Sequence, residues 1–270
     1  MINRNTQRIA ALAILTSFAF VTSAQAAVYT WQWTPATTDG TGVGVSHKAG
    51  RINSVDASFN SDTNQLTWMV NFGDVPNYSW LDTEGFTLAI NGGPNPKGHA
   101  GEMALLYFDA SGNDPVLSAY AYNGLNNYRS YDDGSPRSGR QSPDRIASSL
   151  LGHSWINELV VRTEADGSRT LGFDIDASLI NNHIPTEPGP GGVSEWTGVA
   201  FGEKIGVWMH PFAGLDTRYG SFSRYLREWD PKKEGWLDGT DFNTVPEPGS
   251  IILLVLGGAS LIARRRKATA

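Results

Sequence analysis

Short alternations of apolar and polar residues, set off by turn clusters, run through residues 27–244, and no long stretch there repeats at the 3.6-residue period of a helix. Val28 to Thr34 (VYTWQWT) alternates with period two, as a strand with one buried face does. Ser54 to Asn60 and Gln65 to Phe72 flank Ser61-Asp62-Thr63-Asn64, a hairpin turn in composition. Phe86 to Ile90 runs into the breaker Asn91-Gly92-Gly93-Pro94-Asn95-Pro96. Glu102 to Phe108 and Val116 to Tyr122 flank a second turn, 109–115, and Ile156 to Thr163 and Arg169 to Ile175 flank a third that holds Asp166-Gly167. Val199 to Phe201 and Ile205 to His210 read as a last pair.

About ten strands joined by short turns predict mostly antiparallel sheets. A stretch of this size and pattern predicts an all-β fold, one two-sheet antiparallel sandwich or jelly roll. Short helices are expected at Pro143 to Leu151, Ala177 to Asn182 and Ser221 to Trp229. The predicted organisation is a signal peptide over 1–26, a β-sandwich ectodomain over 27–229, a linker or stalk over 230–244, and a sorting signal over 245–270 with a short transmembrane helix.

The two ends carry a different pattern. Arg4 and Arg8 precede an apolar run from Ile9 to Val21, and Ala24-Gln25-Ala26 places small residues at Ala24 and Ala26, the spacing of a signal-peptide cleavage site. That predicts export through the Sec translocon, with the mature chain beginning at Ala27. At the other end, Val245-Pro246-Glu247-Pro248 leads into the apolar run Ile251 to Ala263 and then Arg264-Arg265-Arg266-Lys267. The prolines favour an extended segment poor in hydrogen bonds. The basic cluster is expected to stay on the cytoplasmic side, halting export with the domain outside. The apolar run is shorter than the roughly 20 residues of a full span, so snorkelling Arg side chains and Gly249-Ser250 are needed to extend it.

This three-part tail resembles the PEP-CTERM sorting signal in the order and position of Val245, Pro246, Glu247, Pro248, Arg264, Arg265 and Arg266. The resemblance covers about the last 26 residues and says nothing of the chemistry of the rest. It implies handling by exosortase, a membrane-bound transpeptidase-like enzyme. It also implies an intermediate anchored in the inner membrane, followed by residence at the cell surface or outside the cell, in bacteria that build exopolysaccharide and biofilm.

Charge narrows the partners. Six of the 21 basic residues lie in 1–26 and 264–267, while none of the 27 acidic ones lies in 1–26 or 251–270. The stretch between therefore holds 15 against 27, a net charge of −12. Such a surface repels nucleic acid and anionic lipid heads. The absence of Cys excludes a disulfide framework, a thiol nucleophile and a zinc–thiolate site.

Catalytic signatures are missing: no His-Glu-x-x-His, no Gly-x-Ser-x-Gly and no phosphate-binding Gly-rich loop occurs. Asp174 and Asp176 stand two apart on one predicted strand and so share a face, the minimum an acid–base pair requires. The five His are scattered without ligand spacing, and His210, between Trp208-Met209 and Pro211-Phe212, is the most unusual in setting. The turn DASGND offers Asp109, Ser111, Asn113 and Asp114 as hard oxygen donors for calcium, the one cofactor the sequence suggests, but lacks the downstream bidentate Glu of a helix-loop-helix site. Without a cation it reads as an Asx-rich hairpin turn. Tyr120, Tyr122, Asn123, Asn126, Tyr128, Tyr131 and Asp132 interleave rings with amides and a carboxylate, the mixture that stacks on and hydrogen-bonds to sugars. If the rings are buried instead, they are packing on neighbouring strands.

Three readings follow. The first is a non-enzymatic exported surface or matrix protein with affinity for carbohydrate such as exopolysaccharide. The second is a secreted polysaccharide hydrolase, which needs two carboxylates in one groove. The third is a calcium-dependent adhesion module.

Overall fold

The computed structural model describes residues 27–33, 44–46, 49–73, 83–92, 103–122, 144–184 and 198–243. The described residues are built almost wholly of strands: β1 (Val28–Trp33), β2 (Gly44–Ser46), β3 (Arg51–Asn60), β4 (Gln65–Gly73), β5 (Thr83–Asn91), β6 (Met103–Asp109), β7 (Val116–Tyr122), β8 (Asp144–Ser148), β9 (Ile156–Thr163), β10 (Arg169–Asp176), β11 (Lys204–Tyr219), β12 (Leu226–Glu234) and β13 (Trp236–Asn243). One short helix, α1 (Ser178–Asn181), follows β10. A five-stranded sheet runs β1-β3-β4-β10-β9, and an eight-stranded sheet runs β2-β13-β11-β5-β6-β7-β8 with β12 also paired to β11. Every pairing is antiparallel.

Alternation explains the packing of the two sheets. In β3, β4 and β10 the residues Val55, Ala57, Phe59, Leu66, Trp68, Val70, Phe72, Leu171, Phe173 and Ile175 are buried, while their neighbours, Met69 apart, are polar or small. They meet the inward row of the larger sheet, including Phe86, Leu88, Ile90, Leu106, Phe108, Val207 and Met209, in one continuous core. Phe86 stacks on Phe108 at 5.2 Å within its sheet and on Phe173 at 6.3 Å across the layers. The result is a sandwich of two antiparallel sheets, as the alternation predicts.

The larger sheet is apolar on its outer face as well. β6 is buried at all seven positions, which a strand with one solvated face is not. A third layer supplies the cover. β11 pairs with β5 as far as Ala213, and Gly214 then takes a left-handed φ of 62°. Beyond that bend β11 pairs only with β12, and the hairpin lies across β5, β6 and β7. Phe212, Leu215, Leu226 and Trp229 pack there on Ala89, Met103, Leu105, Tyr107, Tyr120 and Tyr122.

Four sequence expectations change. Ser221 to Trp229 is not helical; residues 221–223 turn and β12 follows. In the expected linker 230–244, the described residues 230–243 form no stalk: they continue β12 and make β13, so the folded unit extends to Asn243. Residues 144–148, inside the expected helix at 143–151, form a strand on β7. Residues 199–201 are not a strand, and β11 takes β5, β12 and β13 as partners instead. The helix expected at 177–182 is present as α1.

Candidate functional site

The outer face of the five-stranded sheet stays open and polar. Register places its side chains in three parallel rows. The central row runs Asp56, Met69, Gly172, Val160 across β3, β4, β10 and β9. One neighbouring row runs Ser54, Asn71, Thr170, Arg162, and the other Ser58, Thr67, Asp174, Glu158. Together Ser54, Asp56, Met69, Asn71, Glu158, Val160, Arg162 and Thr170 line a shallow groove of about 450 Å³.

Gly172 creates the depression. A Cβ there would lie 2.2 Å from the Trp68 carbonyl oxygen and 2.6 Å from Met69 Sδ, so Met69 occupies the space a side chain would take. The floor is thus a methionine, a bare backbone and Val160, an apolar strip between two polar walls.

The walls are fixed by hydrogen bonds. Arg51 Nε donates to Asn53 Oδ1 (3.1 Å), and Asn53 Nδ2 to Asn71 Oδ1 (2.8 Å). Asn71 Nδ2 donates to Ser168 Oγ (2.9 Å) and Thr170 Oγ1 (3.2 Å). Thr170 Oγ1 donates to Glu164 Oε1 (2.6 Å), which also accepts from Arg162 Nε (2.8 Å). Arg162 and then Thr170 hold the Glu164 carboxyl below its ordinary pKa. On the opposite wall Asp174 accepts from Gln65 Nε2 (2.7 Å), Thr67 Oγ1 (3.3 Å) and Asn157 Nδ2 (2.7 Å). Asp176 accepts from the Ser178 backbone at the start of α1. Asp174 is therefore occupied by three neutral donors from the two flanking strands, β4 and β9, and Asp176 by the helix start, which gives both carboxylates structural work. Asp56 and Glu158, both exposed, face the groove from its two sides.

The other sequence-based candidates fall elsewhere. Tyr120 and Tyr122 are 1% and 0% exposed, their rings covered by the β11–β12 hairpin. They present no free face to a sugar, because the sheet's outer surface is itself a packing surface. Tyr120 packs edge-on against Tyr107 at 5.5 Å and accepts a hydrogen bond from the Leu226 backbone at 3.2 Å. Burial pushes its pKa far up. Asn123, Asn126, Tyr128, Tyr131 and Asp132 lie outside the described residues.

In the 109–114 turn, Asp109 is buried while Ser111, Asn113 and Asp114 are exposed. Its Oδ1 accepts from the Ser111 amide (2.9 Å) and hydroxyl (2.6 Å), an Asx turn, and its Oδ2 accepts from Thr217 Oγ1 (2.6 Å) and Tyr219 OH (2.8 Å). Both oxygens of Asp109 are thus taken by protein donors, and among the described residues no three His, Asp or Glu side chains gather as a metal group. His210 is wedged between Trp208 (4.6 Å) and Phe212 (6.1 Å) and pairs through Nδ1 with Glu234 of β12.

Ala24, Ala26, Val245, Pro246, Glu247, Pro248, Arg264, Arg265 and Arg266 also lie outside the described residues. Among those described, no helix is long and apolar enough to cross a membrane. Comparison with known families decides the tail. Residues 244–267 match the family model described as the PEP-CTERM protein-sorting motif. The chain carries a PEP-CTERM sorting signal. That signal implies export, exosortase as the processing partner, and a membrane-anchored intermediate before surface display. The matched residues begin at the position after the last residue of β13. No curated protein and no solved structure matches the chain.

The groove was partly visible in the alternations Ser54-Asp56-Ser58, Thr67-Met69-Asn71 and Glu158-Val160-Arg162. Which alternation stands beside which was not, because register is a long-range property.

Proposed function

We propose that this PEP-CTERM protein is a non-enzymatic component of the cell surface or extracellular matrix, whose five-stranded sheet binds an uncharged, hydroxyl-rich polysaccharide. The observation that carries the reading is the groove around Gly172. An apolar strip suits the C–H face of a sugar ring, and the amides, hydroxyls and carboxylates along its walls suit the hydroxyl groups. Those walls are held by hydrogen bonds across four strands, so little side-chain freedom is lost on binding. The net charge of −12 between the two ends disfavours an anionic polysaccharide at long range.

A non-catalytic role is supported by the carboxylates themselves. Asp174 is saturated by neutral donors, and Glu164 is displaced toward the ionised form, the reverse of what a general acid requires. The test is co-sedimentation of the exported chain with neutral and with anionic polysaccharides, paired with an assay for newly released reducing ends. Binding to a neutral polysaccharide is expected, reduced about tenfold in the Asp56→Ala, Glu158→Ala double variant. Release of reducing ends that this double variant abolishes would establish the hydrolase instead. Binding unchanged in the double variant would remove the groove from the account.

A further inference from the structure

The sorting signal abuts a strand. Asn243 closes β13 and the matched motif opens at residue 244, so from Asn243 to Pro246 there are three Cα steps. Three steps of a fully extended chain reach only about 11 Å. A membrane-bound processing enzyme must therefore work almost against the end of the eight-stranded sheet, or the sheet must release chain to it.

The pairing of β13 is uneven along its length. Leu237 and Asp238 are held on both sides, by β2 and β11, and Trp236 is paired with Ser46 of β2. Leu237 is fully buried in the core. Among the described residues the β2 pairing covers Trp236 to Asp238. On the β11 side the ladder runs Met209↔Leu237, Trp208↔Asp238 and Val207↔Gly239, then breaks, and resumes only as Ile205↔Phe242 and Lys204↔Asn243. Two residues of β13 are skipped opposite one of β11, a bulge that interrupts the ladder. The last two pairs are thus cut off from the rest of the β11 ladder. Short segments with few backbone pairs, set off from a ladder by a bulge, open at a small fraction of the global unfolding free energy.

We propose that residues 240–243 are a release segment: they peel from β11 as far as the bulge to deliver the sorting signal to exosortase, while the 237–239 stretch stays anchored and the sandwich remains folded. Peeling four residues roughly doubles the extended reach before Pro246, to about 25 Å from Gly239. An enzyme that grips its substrate as an extended peptide needs backbone groups that are not already paired. The bulge sets where the opening stops, so that delivering the signal does not expose the core. This inference is independent of the groove and of any ligand bound there.

The test locks the segment. The chain has no Cys, so Lys204→Cys with Asn243→Cys introduces a single disulfide between register partners, which an oxidising exported compartment allows to form. The full chain is expressed with its exosortase, crosslinking is followed on non-reducing gels, and processing is followed by the mass of the product. The crosslinked fraction is expected to be processed about tenfold or more slowly than either single-Cys variant. A Gly/Ser linker of about six residues, inserted after Asn243 in the crosslinked variant, is expected to restore processing by supplying free chain. Formation of the disulfide reports that β13 is in register, which keeps a folding defect apart from a processing defect. Wild-type processing of the crosslinked chain overturns the proposal, and so does a block that the linker fails to relieve.

Discussion

Tyr219, near the far end of β11, donates its phenol hydrogen to Asp109 Oδ2 at the end of β6, 2.8 Å away and 110 residues earlier in the chain. Thr217 Oγ1 donates to the same oxygen at 2.6 Å. These bonds pin the β11–β12 hairpin onto the outer face of the larger sheet, and Asp109 uses its other oxygen to hold its own turn. One carboxylate thereby joins a local turn to a layer that arrives last in the sequence. Its removal leaves two hydroxyls without their shared partner, and hydrogen bonds to charged groups contribute about 1.5–3 kcal/mol each. Asp109→Ala is expected to destabilise the fold by about 2–4 kcal/mol, and Tyr219→Phe by about 1–2 kcal/mol, in urea unfolding followed by tryptophan fluorescence. Wild-type stability of Asp109→Ala would show that the hairpin is held by its apolar contacts alone.

The same hairpin makes the protein sensitive to alkali. Burial, and then the Asp109 charge beside it, raise the Tyr219 pKa, and burial raises that of Tyr120. Both phenols are held neutral more strongly in the folded than in the unfolded chain. Stability from this source is complete below the free tyrosine value of about 10 and falls as pH rises above it, because the unfolded chain then loses protons that the folded one keeps. The melting temperature is expected to hold between about pH 8 and pH 9.5 and to drop beyond pH 10, with a shallower drop in Tyr219→Phe.

At the groove, Glu164 gives the opposite sign. Its pKa is lowered, first by the hydrogen bond from Arg162 and next by that from Thr170. The interaction is present above the ordinary glutamate value of about 4.3 and is lost as pH falls through the lower folded value. Arg162 is exposed and Glu164 half-buried at the surface, so the effect belongs to the site and hardly to global stability. In a carboxyl-resolved NMR titration, Arg162→Ala is expected to move Glu164 back toward its ordinary value, and Thr170→Val to move it part of the way. An unchanged midpoint in both would dissolve the wall described here.

Gly172 is expected to tolerate nothing larger. A methyl group at this position meets the Trp68 carbonyl oxygen at 2.2 Å, and that oxygen is backbone in the neighbouring strand. Gly172→Ala is expected to cost about 1–3 kcal/mol and to fill the groove floor, whereas Gly202→Ala, where a Cβ meets nothing within 4 Å, is expected to fall within about 0.5 kcal/mol of wild type. Equal stabilities of the two variants in urea would contradict the close approach of β4 and β10.

Much of the fold was legible. Nine strands lie where period-two alternation and turn composition put them, β7 and β9 to the residue, because both signals are local. Residues 221–234 were not legible. Tyr225, Leu226 and Trp229 have the spacing of a helix face, and Lys232-Lys233 after Pro231 has the composition of a linker. A strand at the edge of a sheet uses the same residues: proline and lysine keep other chains from adding to it. The site was missed for a related reason. The aromatic segment ending β7 stood out as a sugar platform, yet its rings at Tyr120 and Tyr122 are consumed by the third layer. The groove is made of serine, asparagine, threonine and methionine that mean little until register brings them side by side.

By itself the sequence determined the strands, the turns between them and the sorting signal, since each depends on residues a few positions apart: alternation, turn chemistry, and a Pro-Glu-Pro before an apolar run with a basic end. Only the tertiary structure decided that an apolar outer sheet face is covered, that Asp109 turns inward to hold the cover, that the groove opens on the opposite sheet, and that the chain leaves the fold from a strand and not a stalk. These outcomes rest on pairings across tens to hundreds of residues. In a strand a shift of one residue exchanges the buried and exposed faces, so the same local pattern serves either face until its neighbours are in place.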